Sequence, residues 1–309
     1  MKAEMQQSSR FTLNEISRKK LFTKEVVLRI LLYLGVFLVL VIVLAPYLWM
    51  VSGSFKTSLE IQAADVTRPD LEPRWIPRTF TLENYAKINK TVPMLDYFRN
   101  SIIISLGTMF FSIIISITAA YALSRYNFKG KTAVTLGVAS TQLFPGIAFL
   151  IPYFILFTLI NRYFGIQLRN TYPGMILTYT TFAIPFSILM LRNFLDTVPR
   201  EIDEQAQIDG CSPLGALFRV IIPLSAPGIV AVGIYSFIMA WNEVLFASIL
   251  TGRATKTVAV GILEYITQQQ SRWSQMMAAC IIISIPVLLL FTFMQRYIVE
   301  GIVSGATKG

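Results

Sequence analysis

Polar side chains are scarce in this chain, so the places where they gather limit the chemistry open to it. The densest group lies at 199–223, PREIDEQAQIDGCSPLGALFRVIIP, with Arg200, Glu201, Asp203, Glu204, Asp209 and Arg219 set between two long apolar runs. Carboxylates in such a cluster could serve acid–base catalysis, hold a metal or dock on a basic surface. The chain has no histidine, which removes the commonest general base and metal ligand. No zinc pattern, nucleophile elbow or paired-carboxylate constellation appears in a suitable setting. Gly130-Lys131-Thr132 resembles the end of a phosphate-binding loop, but that motif needs glycine at position 125, which is arginine, and a preceding strand. Cys211 and Cys280, the only cysteines, fall in different layers, which leaves neither a disulfide framework nor a metal cluster. We therefore expect no enzymatic activity and no cofactor. The alternatives for 199–223 are an interfacial connector and a docking element.

The elements that must position these residues follow from the charge-free runs. Hydrophobic residues make up 54% of the 309 and charged residues 14%. Nothing is charged between Arg29 and Lys56, or within 100–124, 132–161, 170–191, 220–242 and 273–295. Each run exceeds the roughly 20 residues that cross about 30 Å of hydrocarbon as a helix, and in lipid only a helix or a closed barrel satisfies its own backbone. These runs predict an all-α polytopic membrane protein with six transmembrane helices. The net charge of +10 is scattered over loops and tails. That distribution suits anionic membrane lipids and forms no aromatic-interleaved stripe for nucleic acid.

Residues 1–25 are polar and basic and precede an apolar core too long for a cleaved leader, so they read as a tail before an uncleaved first span. Basic residues ahead of that span predict a cytoplasmic N-terminus. Six spans then return the C-terminal tail, 296–309, to the same side and place 125–131 and 199–223 inside. The transmembrane region is 26–309, and 53–100 forms the long outer loop, with seven Lys/Arg nearly balanced by six acids.

Within 199–223, Pro199 suits the first turn of a helix and Gly210 the position just past its end. Ser212-Pro213 suits a new N-cap. Leu214, Leu217, Phe218 and Ile221 predict one apolar face, interrupted at Pro223. In the spans, Gln142 with the prolines of the third run, and Tyr179, Thr180 and Thr181 in the fourth, could line a pathway. They could equally hydrogen-bond helix to helix. Trp241-Asn242-Glu243 interrupts the fifth run. On a straight helix Glu243 lies about 24 Å from Pro227, towards the outer leaflet, where it could serve passage or a structural bond.

Glu204, Gln205, Ala206, Gly210 and then Val220-Ile221-Ile222-Pro223 resemble the E-A-A-x3-G-x9-I-x-L-P loop of the membrane subunits of binding-protein-dependent ABC importers, with Gln205 in place of an alanine. Pro73-Arg74-Trp75-Ile76-Pro77, Thr81-Leu82-Glu83-Asn84-Tyr85 and Asn100-Ser101 resemble sugar permeases of the maltose-permease G-subunit type. So do Trp241-Asn242-Glu243 and the tail from Gln295 to Gly309. The resemblance implies a type I importer, MetI-like permease fold and import of a disaccharide or oligosaccharide. It also implies a second homologous permease, two ATP-binding subunits that hydrolyse ATP and seat Glu201, Glu204, Gln205, Ala206, Asp209 and Gly210, and an external solute-binding protein. The implied location is a bacterial-type inner membrane. A polyol or glycerol phosphate permease of the same family, and a secondary transporter or channel, are the alternatives.

Overall fold

The computed structural model describes the backbone of residues 2–62, 74–267 and 271–306, and the side chains of 24–61, 74–267 and 271–295. The chain opens with α1, Lys2–Ser54, one helix that carries the polar first residues and the first span without a break. Most of its spanning part, Lys24–Ser54, is uncovered by protein, with Leu28 66% and Ile42 71% exposed, and only its last turns are buried, against α14 among others. A helix apolar on every side and bare of protein has hydrocarbon as its solvent.

Two short helices, α2 (Ser58–Gln62) and α3 (Glu83–Thr91), precede α4 (Met94–Arg125). Then come α5 (Lys131–Ser140), α6 (Leu150–Phe164), α7 (Tyr172–Thr197), α8 (Arg200–Ile208) and α9 (Pro213–Ala216). The last six are a π turn over Leu217–Ile221, α10 (Ile222–Leu224), α11 (Ala226–Trp241), α12 (Leu245–Leu250), α13 (Val258–Gly261) and α14 (Trp273–Ala306). Among the described residues five helices are long and apolar enough to cross a membrane, and a bent pair, taken as one span, makes a sixth.

The spine of the bundle is α4, flanked by α7 and α11. Burial stacks in three layers along it. Met94 and Tyr97 meet Trp241 and Tyr265 at one end, Ile104 meets Met175 and Tyr179 midway, and Ile117 and Tyr121 meet Leu191, Leu217 and Ile221 at the other. Lipid tails are as apolar as leucine, so close approach rather than area burial holds such helices together. The fully buried α4 residues Ser105, Thr108, Ser112, Ser116 and Ala120 supply that approach. Gly174 is tighter still, because a Cβ there would lie 1.9 Å from the Leu168 carbonyl oxygen. Gly174→Ala is expected to force this turn apart and to lower stability by about 1–3 kcal/mol, read as an earlier thermal unfolding of the solubilised protein.

Two expectations are corrected. The third run, 132–161, is not one helix kinked at its prolines: α5 and α6 are separate arms joined by 3-10 turns at Thr141–Leu143 and Gly146–Phe149. Pro145, extended at ψ 127, separates them, because proline lacks the donor and clashes with the preceding turn. The fifth run, 220–242, is also divided. Pro213–Leu224 meets α11 at 81°, and Ser225 between them leaves the helical region at ψ 11.

The described part of 53–100 is held in place by specific side-chain contacts. Phe55 stacks on Phe80 at 4.6 Å, and Asn84 Nδ2 donates to the carbonyls of Ser54 (2.8 Å) and Lys56 (2.7 Å). Lys56 lies 4.1 Å over the Trp49 ring, and burial pulls its ammonium below the ordinary lysine range.

Candidate functional site: an acidic helix and a mid-span groove

Helix α8 begins one residue later than the sequence predicts. Pro199 is its N-cap, at ψ 140, rather than its first helical residue. Its end is a Schellman closure. Gly210 sits at φ 90, its N–H donates to Gln207 O at 3.0 Å, and Cys211 N–H donates to Ala206 O at 3.0 Å. Only glycine reaches that φ without strain from a Cβ, so the expected corner is present.

The helix has two unlike faces. Glu201, Glu204, Gln205, Asp209 and Gly210 are exposed, together with Ile208 at 84%. Ala206, grouped with them in the sequence motif, instead turns inward at 7% exposure. With it goes Asp203, 5% exposed. Its Oδ2 lies 2.6 Å from Arg125 Nε, and Tyr121 OH donates to Oδ1 at 3.1 Å. The Arg–Asp contact is a close charge pairing more than an aligned hydrogen bond, because among the described residues neither Arg125 Nε nor Asp203 Oδ2 has a hydrogen-bond partner. Beside it Arg200 Nη2 donates to Ser124 O (2.9 Å), Ser124 Oγ donates to Asp196 Oδ1 (2.5 Å), and Arg192 reaches both Asp196 and Thr135. This network ties α8 to the ends of α4, α5 and α7. Sequence reading missed Asp203 and Tyr121 as functional residues. The available signals were the i, i+4 spacing of Tyr121 and Arg125 at the end of a charge-free run, and the i, i+3 spacing of Asp203 and Ala206.

Past the corner, Ser212 caps α9 as expected, its Oγ accepting from Gly215 N at 3.1 Å. The apolar face divides, however. Leu217 and Ile221 are buried in the α4–α7 layer, while Leu214 and Phe218 are 62% and 59% exposed. The π turn at Leu217–Ile221 lengthens the repeat, so four residues spaced for one α-helical stripe no longer share a side.

The mid-span polar residues fall into three settings. Gln142 and Thr181 line one groove of about 510 Å³, also bounded by Phe149, Tyr153, Phe182 and Tyr235. Tyr179 and Glu243 are bonded to each other, Tyr179 OH donating to Glu243 Oε2 at 2.9 Å. Glu243 also caps α12, accepting from Phe246 N (3.0 Å) and Ala247 N (3.1 Å). The helix before it stops at Trp241, so the straight-helix reckoning of its depth does not hold. Thr180 is buried with its hydroxyl unpartnered, and Asn242 is exposed at the end of α11.

At the opposite end of the bundle from α8, Asn100 and Ser101 pin residues 254–258. Asn100 Nδ2 donates to the carbonyls of Ala254 and Lys256, Tyr172 OH donates to Asn100 Oδ1 at 2.6 Å, and Ser101 Oγ accepts from Val258 N at 2.9 Å. Lys256 Nζ donates to Glu264 at 2.5 Å, and that bond holds its ammonium above the ordinary range. Pro73 and the side chains of 1–23 and 296–309 lie outside the described residues.

A family model described as binding-protein-dependent transport system inner membrane component matches residues 87–304. The inner membrane ABC transporter permease protein YcjP of Escherichia coli is 34% identical over 289 residues, covering 93% of this chain and 99% of that protein. The trehalose/maltose transport system permease protein MalG of Thermococcus litoralis is 35% identical over 290 residues, with the same two shares. The sulfoquinovosyl glycerol transport system permease protein SmoH of Agrobacterium fabrum is 34% identical, covering 86% of this chain and 89% of that protein. Among solved structures, a chain of a bacterial ABC transporter involved in the import of the acidic polysaccharide alginate superimposes with a TM-score of 0.70 at 20% identity, covering 86% of this chain and 94% of that one. That likeness bears on the fold. Six apolar spans, an acidic helix closed by a left-handed glycine and a family match through both together place this chain in the binding-protein-dependent transport system inner membrane component family, as a multi-pass permease of ABC transporters.

Proposed function

We propose that this permease imports a carbohydrate delivered by an external solute-binding protein, in a heterodimer with a second, homologous permease. ATP is hydrolysed by two separate subunits, one of which seats α8. In this reading the α8 end and both termini face the cytoplasm. The observation that carries it is the division of labour on α8. Glu201, Glu204, Gln205 and Asp209 are presented outward, while Asp203 on the other side is locked to Arg125 in the bundle. A helix held that way transmits displacement, because its grip on the spans is buried and its free face can be gripped by something else. Closure of the ATPase pair then moves α8 as a rigid body. The arms on either side of Pro145 and the 81° corner at Ser225 supply hinges for rocking the spans between two states. The names of relatives, trehalose/maltose in one and sulfoquinovosyl glycerol in another, favour a carbohydrate solute.

Glu204→Cys tests the docking. Glu204 is exposed and outside the Asp203 network, so the variant is expected to insert and assemble normally. It should crosslink to an ATP-binding subunit, with a yield that changes when nucleotide is added. A cysteine that never reaches a nucleotide-binding protein, or one labelled from outside the cell, rejects the reading. Transport by the purified chain alone would do the same in favour of a secondary transporter.

A further inference from the structure

We propose that the groove between α5, α6, α7 and α11 is a solute-contact site of this subunit, and that its chemistry selects an uncharged pyranoside over an anionic solute. The inference rests on the importer reading and adds the class of solute. The groove lies at mid-depth. It opens at the break between α5 and α6 and beside Pro185, which is 13 residues into the 26-residue α7. Its volume of about 510 Å³ falls within the roughly 300–1,000 Å³ of small-molecule sites.

Its apolar wall is aromatic. Phe149 and Tyr153 both meet Phe182, at 6.0 Å and 5.7 Å between ring centres, and Tyr235 of α11 lines the same space. Ring faces carry negative charge density. They therefore attract the polarised C–H groups that cover the flat faces of a pyranose, a contact that a charged headgroup or a short polyol cannot make as well.

The polar side of the groove is spare hydrogen-bonding capacity. Thr141 and Thr181 spend their hydroxyl protons on their own helices, donating to Val138 O at 2.7 Å and Leu177 O at 2.8 Å. Their oxygen lone pairs remain as acceptors for sugar hydroxyls. Gln142, exposed in the groove, makes no hydrogen bond among the described residues and offers both a donor pair and an acceptor. Among the described residues no charged side chain lines the space. At this depth an anion would leave water with no counter-charge to meet it, a cost that falls on carboxylates, phosphates and sulfonates alike.

The test is uptake by cells in which the assembled transporter is the sole route. The uncharged probes are trehalose and maltose, and the anionic ones are glucuronate, glycerol 3-phosphate and sulfoquinovosyl glycerol. We expect uptake of an uncharged probe and none of the anions. Gln142 has no structural bond to lose, so Gln142→Ala is expected to assemble normally. It should cut kcat/KM for the transported probe about tenfold, as the loss of one hydrogen bond allows, with partial rescue by Gln142→Asn. Uptake of anions only would overturn the proposal. So would an uncharged probe whose kinetics are unmoved by Gln142→Ala and Tyr153→Ala, since the groove would then be a seat for the partner permease or for lipid. Both results leave the importer reading standing. Failure of ATP-dependent uptake across the whole panel counts against both.

Discussion

Gly210→Leu is expected to leave membrane insertion and assembly intact while abolishing solute uptake and transport-stimulated ATP hydrolysis. The backbone there stands at φ 90, and beyond the two chain neighbours no described atom lies within 4 Å of where a Cβ would fall. Leucine in the left-handed region costs roughly 1–2 kcal/mol, small beside the about 5–15 kcal/mol that holds a domain together, so the bundle survives. The side chain, however, projects from the corner that joins Asp209 to Cys211, beside exposed Ile208 and Glu204. That is the surface we assign to the ATPase. Gly210→Ala separates strain from obstruction, because it carries similar backbone strain with only a methyl group added. We expect it to retain most of the uptake. Equal loss in both variants would make the backbone corner itself the requirement, and normal uptake by the leucine variant would remove Gly210 from the coupling account.

The second large effect belongs to Arg125. Its side chain and that of Asp203 are 8% and 7% exposed and meet at 2.6 Å. Arg125→Met leaves the Asp203 carboxylate buried with only the Tyr121 hydroxyl for company. Removing one partner of a buried pair typically costs about 3–5 kcal/mol, whereas replacing both with apolar groups of similar volume is often neutral. Arg125→Met is therefore expected to lower the unfolding temperature of the solubilised complex and to loosen α8, seen as faster proteolysis between α7 and α9. In Arg125→Met/Asp203→Leu, stability should recover while uptake stays depressed, because an apolar contact can fill the space without fixing the direction of α8. A single variant that melts with the native protein would show that the pair does not anchor the helix. Recovery of both stability and uptake in the double variant would show that packing alone transmits the motion.

These two residues also mark how much the residue order conveys. Gly210 is legible because a helix end is a local event. A charged segment, a glycine at its end and a Ser-Pro pair beyond it determine the corner whatever surrounds them, and the left-handed φ and the Ser212 cap are where local chemistry puts them. The membrane-spanning runs are legible for a similar reason, since leaving water for lipid depends on composition and length within each segment and needs no knowledge of neighbours.

Asp203 is different. In the motif it is one acid among several, and only the arrival of Arg125 and Tyr121 from α4, some 80 positions earlier, distinguishes a buried anchor from the solvated Glu201 and Glu204. The groove is likewise assembled from separate helices, so Gln142 and Thr181 become neighbours while Tyr179 and Glu243, equally polar on paper, pair off to cap α12. The apolar residues of 214–221 divide between core and surface because a π turn shifts their phase. Segment polarity and helix ends are short-range properties and can be read one stretch at a time. Which face is buried, which charge is paired and which polar side chain is left free depend on helices distant in sequence, and are settled only when α4, α7 and α11 come together.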